Sequence, residues 1–166
     1  VSVAVCGRGR TTGLWGRKRC LFVGGVRFPG LLVGPHMLPH TRGVSTPCTT
    51  SDYSPPVLAA LVYNVPEQKK RPYDGVSLMP LIRGTMIERP SPIGFESRTQ
   101  VSLTDNRYKI YSQGHGATYE LYDLIDDPGE EINLTEHHPE IVASMKRTLD
   151  QWRRSCRASS QGRDYQ

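Results

Sequence analysis

Few side chains of this 166-residue sequence are typed and spaced for chemistry, and their settings decide what each can do. Arg17-Lys18-Arg19 sets three cations side by side between Gly16 and Cys20. A lysine ammonium is a compact charge with three donors and suits a tetrahedral anion; the plainer reading of Lys18 is an exposed lysine in a basic loop. His36 and His40 stand four apart, as two metal ligands on one helix face would, but Pro39 between them argues against that helix and leaves loop histidines. Asp126-Asp127 and Glu130-Glu131 have the composition of a cation cluster. Asn133-Leu134-Thr135 fits the N-glycosylation pattern, which matters only where a eukaryotic secretory pathway makes the protein. Cys6, Cys20, Cys48 and Cys156 are too far apart for a zinc knuckle or a redox pair, and nothing specifies a pairing among them.

Charge is segregated along the chain. The total is +5, yet residues 1–51 hold seven Arg/Lys and no acid, whereas residues 52–138 hold eight basic and thirteen acidic side chains. The basic opening could face a nucleic acid, an anionic lipid surface or a sulfated sugar. No nucleic-acid reader motif accompanies it. No stretch approaches the roughly 20 apolar residues that cross a bilayer. Neither a nucleic acid nor a membrane is therefore the expected partner. A hydrophobic fraction of 37% with 16 Gly and 13 Pro describes a loop-rich chain.

The positioning elements follow from periodicity. Residues 1–12 form an irregular lead. Residues 20–33 have two short apolar runs broken by Gly24-Gly25 and Pro29-Gly30, which predicts a loop feeding a short strand. A helix is expected over 52–63, with Thr50, Ser51 or Asp52 as cap and Val57, Leu58, Leu61 and Val62 at helical spacing. Ser77–Ile82 suits one or two helical turns after an exposed connector. Four short strands are expected at 93–96, 100–104, 108–112 and 119–124, with turns at Asp105–Arg107 and Gln113–Gly116. A sheet of that size needs a cover. The last helix, 139–154, provides it through Ile141, Val142, Met145, Leu149 and Trp152. Tyr108, Tyr111, Tyr119 and Tyr122 read as meander packing rather than as a stacking platform for bases, His137-His138 as solvent-facing, and the tail after Cys156 as disordered.

Three segments in this order resemble the formylglycine-dependent sulfatases of the arylsulfatase and N-acetylgalactosamine-6-sulfatase type. GLWGRKRCLFVGGVRFPG (13–30) resembles the family's Gly-x-Lys-Gly, aromatic, Glu-Gly-Gly-x-Arg-x-Pro. TSDYSPPVLAALVYNVPEQ (50–68) with DGVSLMPLIRG (74–84) resembles its Ser-Asp-Tyr-x-Pro-Thr helix and Asp-Gly-x-Ser-Leu connector. LTDNRYKIYS (103–112) with ELYDLIDDPGEEINLTEHHPEIV (120–142) resembles its closing meander and helix. Arg19 stands where the family has Gly, and Val23 where it has Glu.

The resemblance implies an α+β C-terminal sulfatase region, a small antiparallel sheet of about four strands covered by a terminal helix. A remnant of an α/β, alkaline-phosphatase-like catalytic domain precedes it. The expected divisions are 1–12 lead, 13–68 catalytic remnant, 69–91 connector, 92–155 C-terminal subdomain and 156–166 tail. The reaction implied is hydrolysis of a sulfuric ester, of a sulfated sugar or an aryl sulfate, and Lys18 is the substrate-binding residue that carries over. The family uses calcium and a formylglycine made within Cys/Ser-x-Pro-x-Arg, a motif absent from these residues, as are the family's paired aspartates. No catalytic or metal-ligating residue is therefore assigned, and this chain by itself is expected to be inactive. A non-catalytic sulfated-glycan binder and a gene fragment without function are the alternatives. The resemblance also makes residues 126–131 a surface turn, and Gly24, Gly25 and Arg27 structural. Compartment is left open, intact members often being periplasmic, secreted or lysosomal, and so is the oligomeric state.

Overall fold

The computed structural model describes residues 10–11, 13–34, 43–61 and 74–163. The chain divides into two compact units, one made of the residues up to Pro29 together with Pro92–Arg157, the other of Gly30–Ser91 and the residues from Ala158.

In the first unit, β1 (Arg10–Thr11) and β2 (Leu14–Trp15) make a small hairpin, followed by the single-turn helix α1 (Val23–Val26). The main sheet is an antiparallel meander of β3 (Ile93–Ser97), β4 (Gln100–Thr104), β5 (Tyr108–Ser112) and β6 (Glu120–Asp123), hydrogen-bonded in chain order. Its four strands lie within a residue or two of their predicted bounds. The Asp105 carboxylate makes the β4–β5 turn by accepting from the amides of Arg107 and Tyr108, the short-range bonding that favours Asp in turns. Helix α4 begins at Pro139, whose missing N–H costs nothing at a first helical position.

Strand side chains alternate between faces, and both faces here are covered. Val101, Leu103, Ile110 and Leu121 pack with Met145 and Leu149 of α4, flanked by Tyr108, Tyr119, Ile141, Val142 and Trp152. Gly94 lets the helix approach: a Cβ there would lie 2.7 Å from ring carbons of Trp152. On the opposite face Tyr111 and Tyr122 pack with Leu21, Phe22, Val26, Phe95 and Leu124. That second cover, from some 80 residues upstream, was not predicted.

The second unit contains a 3-10 turn at Thr50–Tyr53, then α2 (Ser54–Ala60) and α3 (Met79–Arg83). Asp52, fully buried, organises it. Its carboxylate accepts from the amides of Thr49 and Val76 and from both terminal nitrogens of Arg89 at 2.6 and 3.1 Å. Thr49 and Asp52 form a capping box, so the cap is Thr49 rather than Thr50, Ser51 or Asp52. Gly75 runs against the carbonyl of Ser51, where a side chain would collide.

Three further expectations are corrected. Residues 23–26 form a helical turn where the apolar runs suggested a loop and strand, because Gly24 and Gly25 bring the backbone onto the carbonyls of residues 14–20, as a strand could not. Helix α4 continues to Ser160 rather than ending at Arg154, so residues 156–160 are helical. No proline or glycine interrupts 140–160, and Arg157 in the last turn meets the negative end of the helix dipole. Glu130 is buried rather than part of a solvated turn, for the reason given below. His36 and His40, and positions 62 and 63 of the predicted helix, lie outside the described residues.

Candidate functional site

Lys18 sits at the tip of a tight turn. The Cys20 amide donates to the Arg17 carbonyl at 2.9 Å, and Arg17, Lys18 and Arg19 are all exposed. Two residues bend the chain: Gly16 at φ +86° and Arg19 at φ +80°. Glycine adopts such angles freely, whereas a side chain there costs about 1–2 kcal/mol. The substitution of Arg for the family's Gly thus keeps the left-handed turn and carries its strain.

The residues that follow the tip are fastened to the meander by buried polar groups. Gln100 bonds both sides of the link after Arg19: its Nε2 donates to the Arg19 carbonyl and its Oε1 accepts from the Leu21 amide, each at 3.1 Å. The Tyr111 hydroxyl donates to the same Oε1 at 3.2 Å. Burial, with the charges of Glu120 and Glu130, pushes that phenol up to about 12, so it remains a donor at neutral pH. Lys109 donates to the Leu21 carbonyl and to Glu130, both at 2.5 Å. The second oxygen of Glu130 accepts from the Val23 amide at 2.6 Å. The side chains of Lys109 and Glu130 are both 0% exposed. A fully desolvated ion pair needs further partners for its donors and acceptors, and the Leu21 carbonyl and the Val23 amide supply one to each side. Burial lowers the Lys109 ammonium from its ordinary value, while the charge and hydrogen bond of Glu130 oppose that fall.

The glycines close the arrangement from the other side. A Cβ on Gly24 would lie 2.5 Å from the Trp15 carbonyl oxygen and 2.7 Å from that of Gly16, and one on Gly25 would lie 2.6 Å from that of Arg17 and collide with that of Cys20. Cys20 itself is buried and disulfide-bonded. An open pocket of about 440 Å³ lies beside the turn, lined by Trp15, Phe22, Glu120, Tyr122, Glu130 and Glu131.

Other candidates fall elsewhere. Asp127 caps its own turn through the amides of Glu131 and Ile132, and Asp126 pairs with Arg107. The His138 ring lies tilted 52° to that of Tyr108 with centroids 6.3 Å apart and is 3.5 Å from Glu140, while His137 is exposed. The Asn133 side chain is structural, its Oδ1 accepting from the amides of Leu121 and Thr135 and from the Thr135 hydroxyl. Among the described residues no three His, Cys, Asp or Glu side chains converge on a point that could hold a metal ion. They do not fit the calcium of the sulfatases. No helix among them is long and apolar enough to cross a membrane.

The architecture is a four-stranded antiparallel meander with a C-terminal helix on one face. No family model matches the chain. It is 33% identical over 132 residues to the choline-sulfatase of Rhizobium meliloti (strain 1021), which takes in 75% of this chain and 24% of that protein. It is 25% identical over 160 residues to a sulfatase of Formosa agariphila, over 82% of this chain and 28% of that protein. The crystal structure of Ps i-CgsB matches it with a TM-score of 0.56 at 18% identity, over 65% of this chain and 24% of that one, a likeness of fold. Its curated relatives are sulfatases, matched over three quarters or more of this chain, as a C-terminal portion of a sulfatase would be. It spans about a quarter of the length of the curated relatives it matches.

Proposed function

We propose that this chain is the C-terminal part of an enzyme that hydrolyses sulfuric esters, and that Lys18 contacts a sulfate oxygen of the substrate. One observation carries the reading: Lys18 stands on an exposed, left-handed turn whose flanks are held by buried hydrogen bonds and an ion pair. A lysine that merely solvated a loop would need no such anchorage. A fixed ammonium at a developing sulfuryl charge stabilises it without reorganisation. The rest of the enzyme would supply the nucleophile and the cation, formylglycine and calcium in the family resembled, and this chain by itself would not turn over an ester. Sulfated sugars are the favoured substrates, because Arg17 and Arg19 flank Lys18 and suit a polyanion.

The test is a chimera in which this chain replaces the matching quarter of the Rhizobium meliloti choline-sulfatase, assayed for release of inorganic sulfate from a sulfated glucosamine and from choline sulfate. Release is expected, and Lys18→Ala should lower it by about 10²-fold, the usual effect of one lost oxyanion contact. A folded chimera that releases sulfate equally well with Lys18→Ala removes the assignment. The exposed run at residues 17–19 also favours a second reading, a non-catalytic binder of sulfated glycans. Salt-sensitive retention of this chain on a sulfated-oligosaccharide column, with no sulfate released by the chimera, would select it.

A further inference from the structure

We infer that Gln100 is a positioning residue for Lys18: it holds Arg19 in the left-handed conformation that aims the turn, so that this β4 side chain sets the affinity of the turn for a sulfate group. The inference rests on the reading of Lys18 given above. Three observations carry it. Arg19 is at φ +80°, which an arginine leaves unless something holds it. The Arg19 carbonyl, directly after Lys18 in the chain, accepts from Gln100 Nε2, and the next amide but one, that of Leu21, donates to Gln100 Oε1. Gln100 is fully buried and further fixed by the Tyr111 hydroxyl, so its two amide atoms form a rigid fork around the peptide groups that leave the turn.

Without the fork Arg19 gains by relaxing to negative φ, and that rotation swings the preceding peptide and Lys18 with it. Glycine at position 19 has no such preference, so it would keep the turn without the fork. The β4 glutamine and the residue at 19 therefore compensate for each other.

The experiment measures binding of a heparin-derived sulfated tetrasaccharide to this chain by calorimetry, for the parent, Gln100→Met, Gln100→Glu, Arg19→Gly and Lys18→Ala, with the double variants. Gln100→Glu keeps an acceptor for Leu21 and Tyr111 and sets a carboxylate oxygen, which repels rather than donates, against the Arg19 carbonyl. Two lost hydrogen bonds correspond to about a tenfold change in affinity. Gln100→Met is expected to weaken binding by about that much, and Arg19→Gly in the same chain to restore most of it. In the Lys18→Ala background Gln100→Met should change affinity by less than about twofold, because the effect passes through Lys18. Equal losses from Gln100→Met with and without Lys18, or no rescue by Arg19→Gly, would overturn the positioning role. If Lys18→Ala leaves binding unchanged, or the parent does not bind, the reading of Lys18 fails and this inference goes with it. Should Gln100→Met not fold, the pair Gln100→Glu and Gln100→Glu/Arg19→Gly decides by the same rescue.

Discussion

Removing the ammonium beneath the turn tests the anchorage most directly. Lys109→Met keeps most of the side chain's stem and deletes the charge, so it opens little cavity. It leaves Glu130, whose side chain is 0% exposed, as a buried carboxylate holding only the Val23 amide. Breaking a buried pair from one side costs about 3–5 kcal/mol, and an unmet Leu21 carbonyl adds to that. Domain stabilities are only about 5–15 kcal/mol, so the loss takes a large share. Urea unfolding followed by tryptophan fluorescence reads it in the right place, because Trp15 and Trp152 are the only two tryptophans and both lie in the unit containing the sheet. The midpoint should fall with little change in slope. Lys109→Met/Glu130→Gln removes both charges while Gln can still accept from Val23, and should recover more than half of the loss. A single variant within about 1 kcal/mol of the parent would refute the reasoning. So would a double variant as costly as the two singles summed, since uncoupled groups add.

Three other outcomes follow from the same geometry. Burial alone would raise the Asp52 carboxyl, but Arg89 and the amides of Thr49 and Val76 hold it below its ordinary 3.8. Its contribution is therefore present above about that pH and lost as pH falls through the lower folded value, which the Val76 amide resonance, followed from pH 6 to pH 2, should report. Gly25→Ala sets a Cβ against the carbonyls of Cys20 and Arg17, and should disrupt the turn so that amide exchange at Cys20–Val23 rises while that of Val101 and Ile110 is nearly unchanged. Asn133→Ala removes the acceptor for Leu121, Thr135 and the Thr135 hydroxyl and should cost about 0.5–1.5 kcal/mol in a thermal melt, the net worth of a hydrogen bond at an exposed side chain.

What could be read from the sequence was what repeats locally. The strands of the meander alternate, their turns contain Asp, Asn and Gly, and α4 carries its apolar stripe at Ile141, Val142, Met145, Leu149 and Trp152. The second face of the sheet was hidden because, beside Tyr111 and Tyr122, its inward positions are Gln100, Ser102 and Lys109, residue types that in an alternating strand signal solvent. Only the partners show otherwise, and the backbone groups that Gln100 and Lys109 bond are 79 to 88 residues away along the chain. Glu130 is hidden in the same way: Asp127 beside it bonds within its own turn, Asp126 pairs with Arg107 at the surface, and nothing in the run DDPGEE marks the one carboxylate that turns inward. The strain at Arg19 was legible only through the resemblance, as a side chain where a glycine is expected.

The buried polar groups also explain why the first and third resembling segments come together. Lys109 lies in LTDNRYKIYS, Glu130 in ELYDLIDDPGEEINL, and both end on the backbone of Leu21 and Val23 in GLWGRKRCLFVGG. Apolar packing alone would let the first segment slide on the sheet, since hydrophobic contact is non-directional. A two-ended ion pair and a glutamine fork fix one register, because any slip leaves a buried charge or amide unpaired at several kcal/mol. Register is what a sulfate-contacting turn requires, as a shift of one residue would replace Lys18 at the tip by Arg17 or Arg19. The sheet is thus more than a cap on the end of the chain: it holds the turn in one register, and with it the residue that would meet the anion.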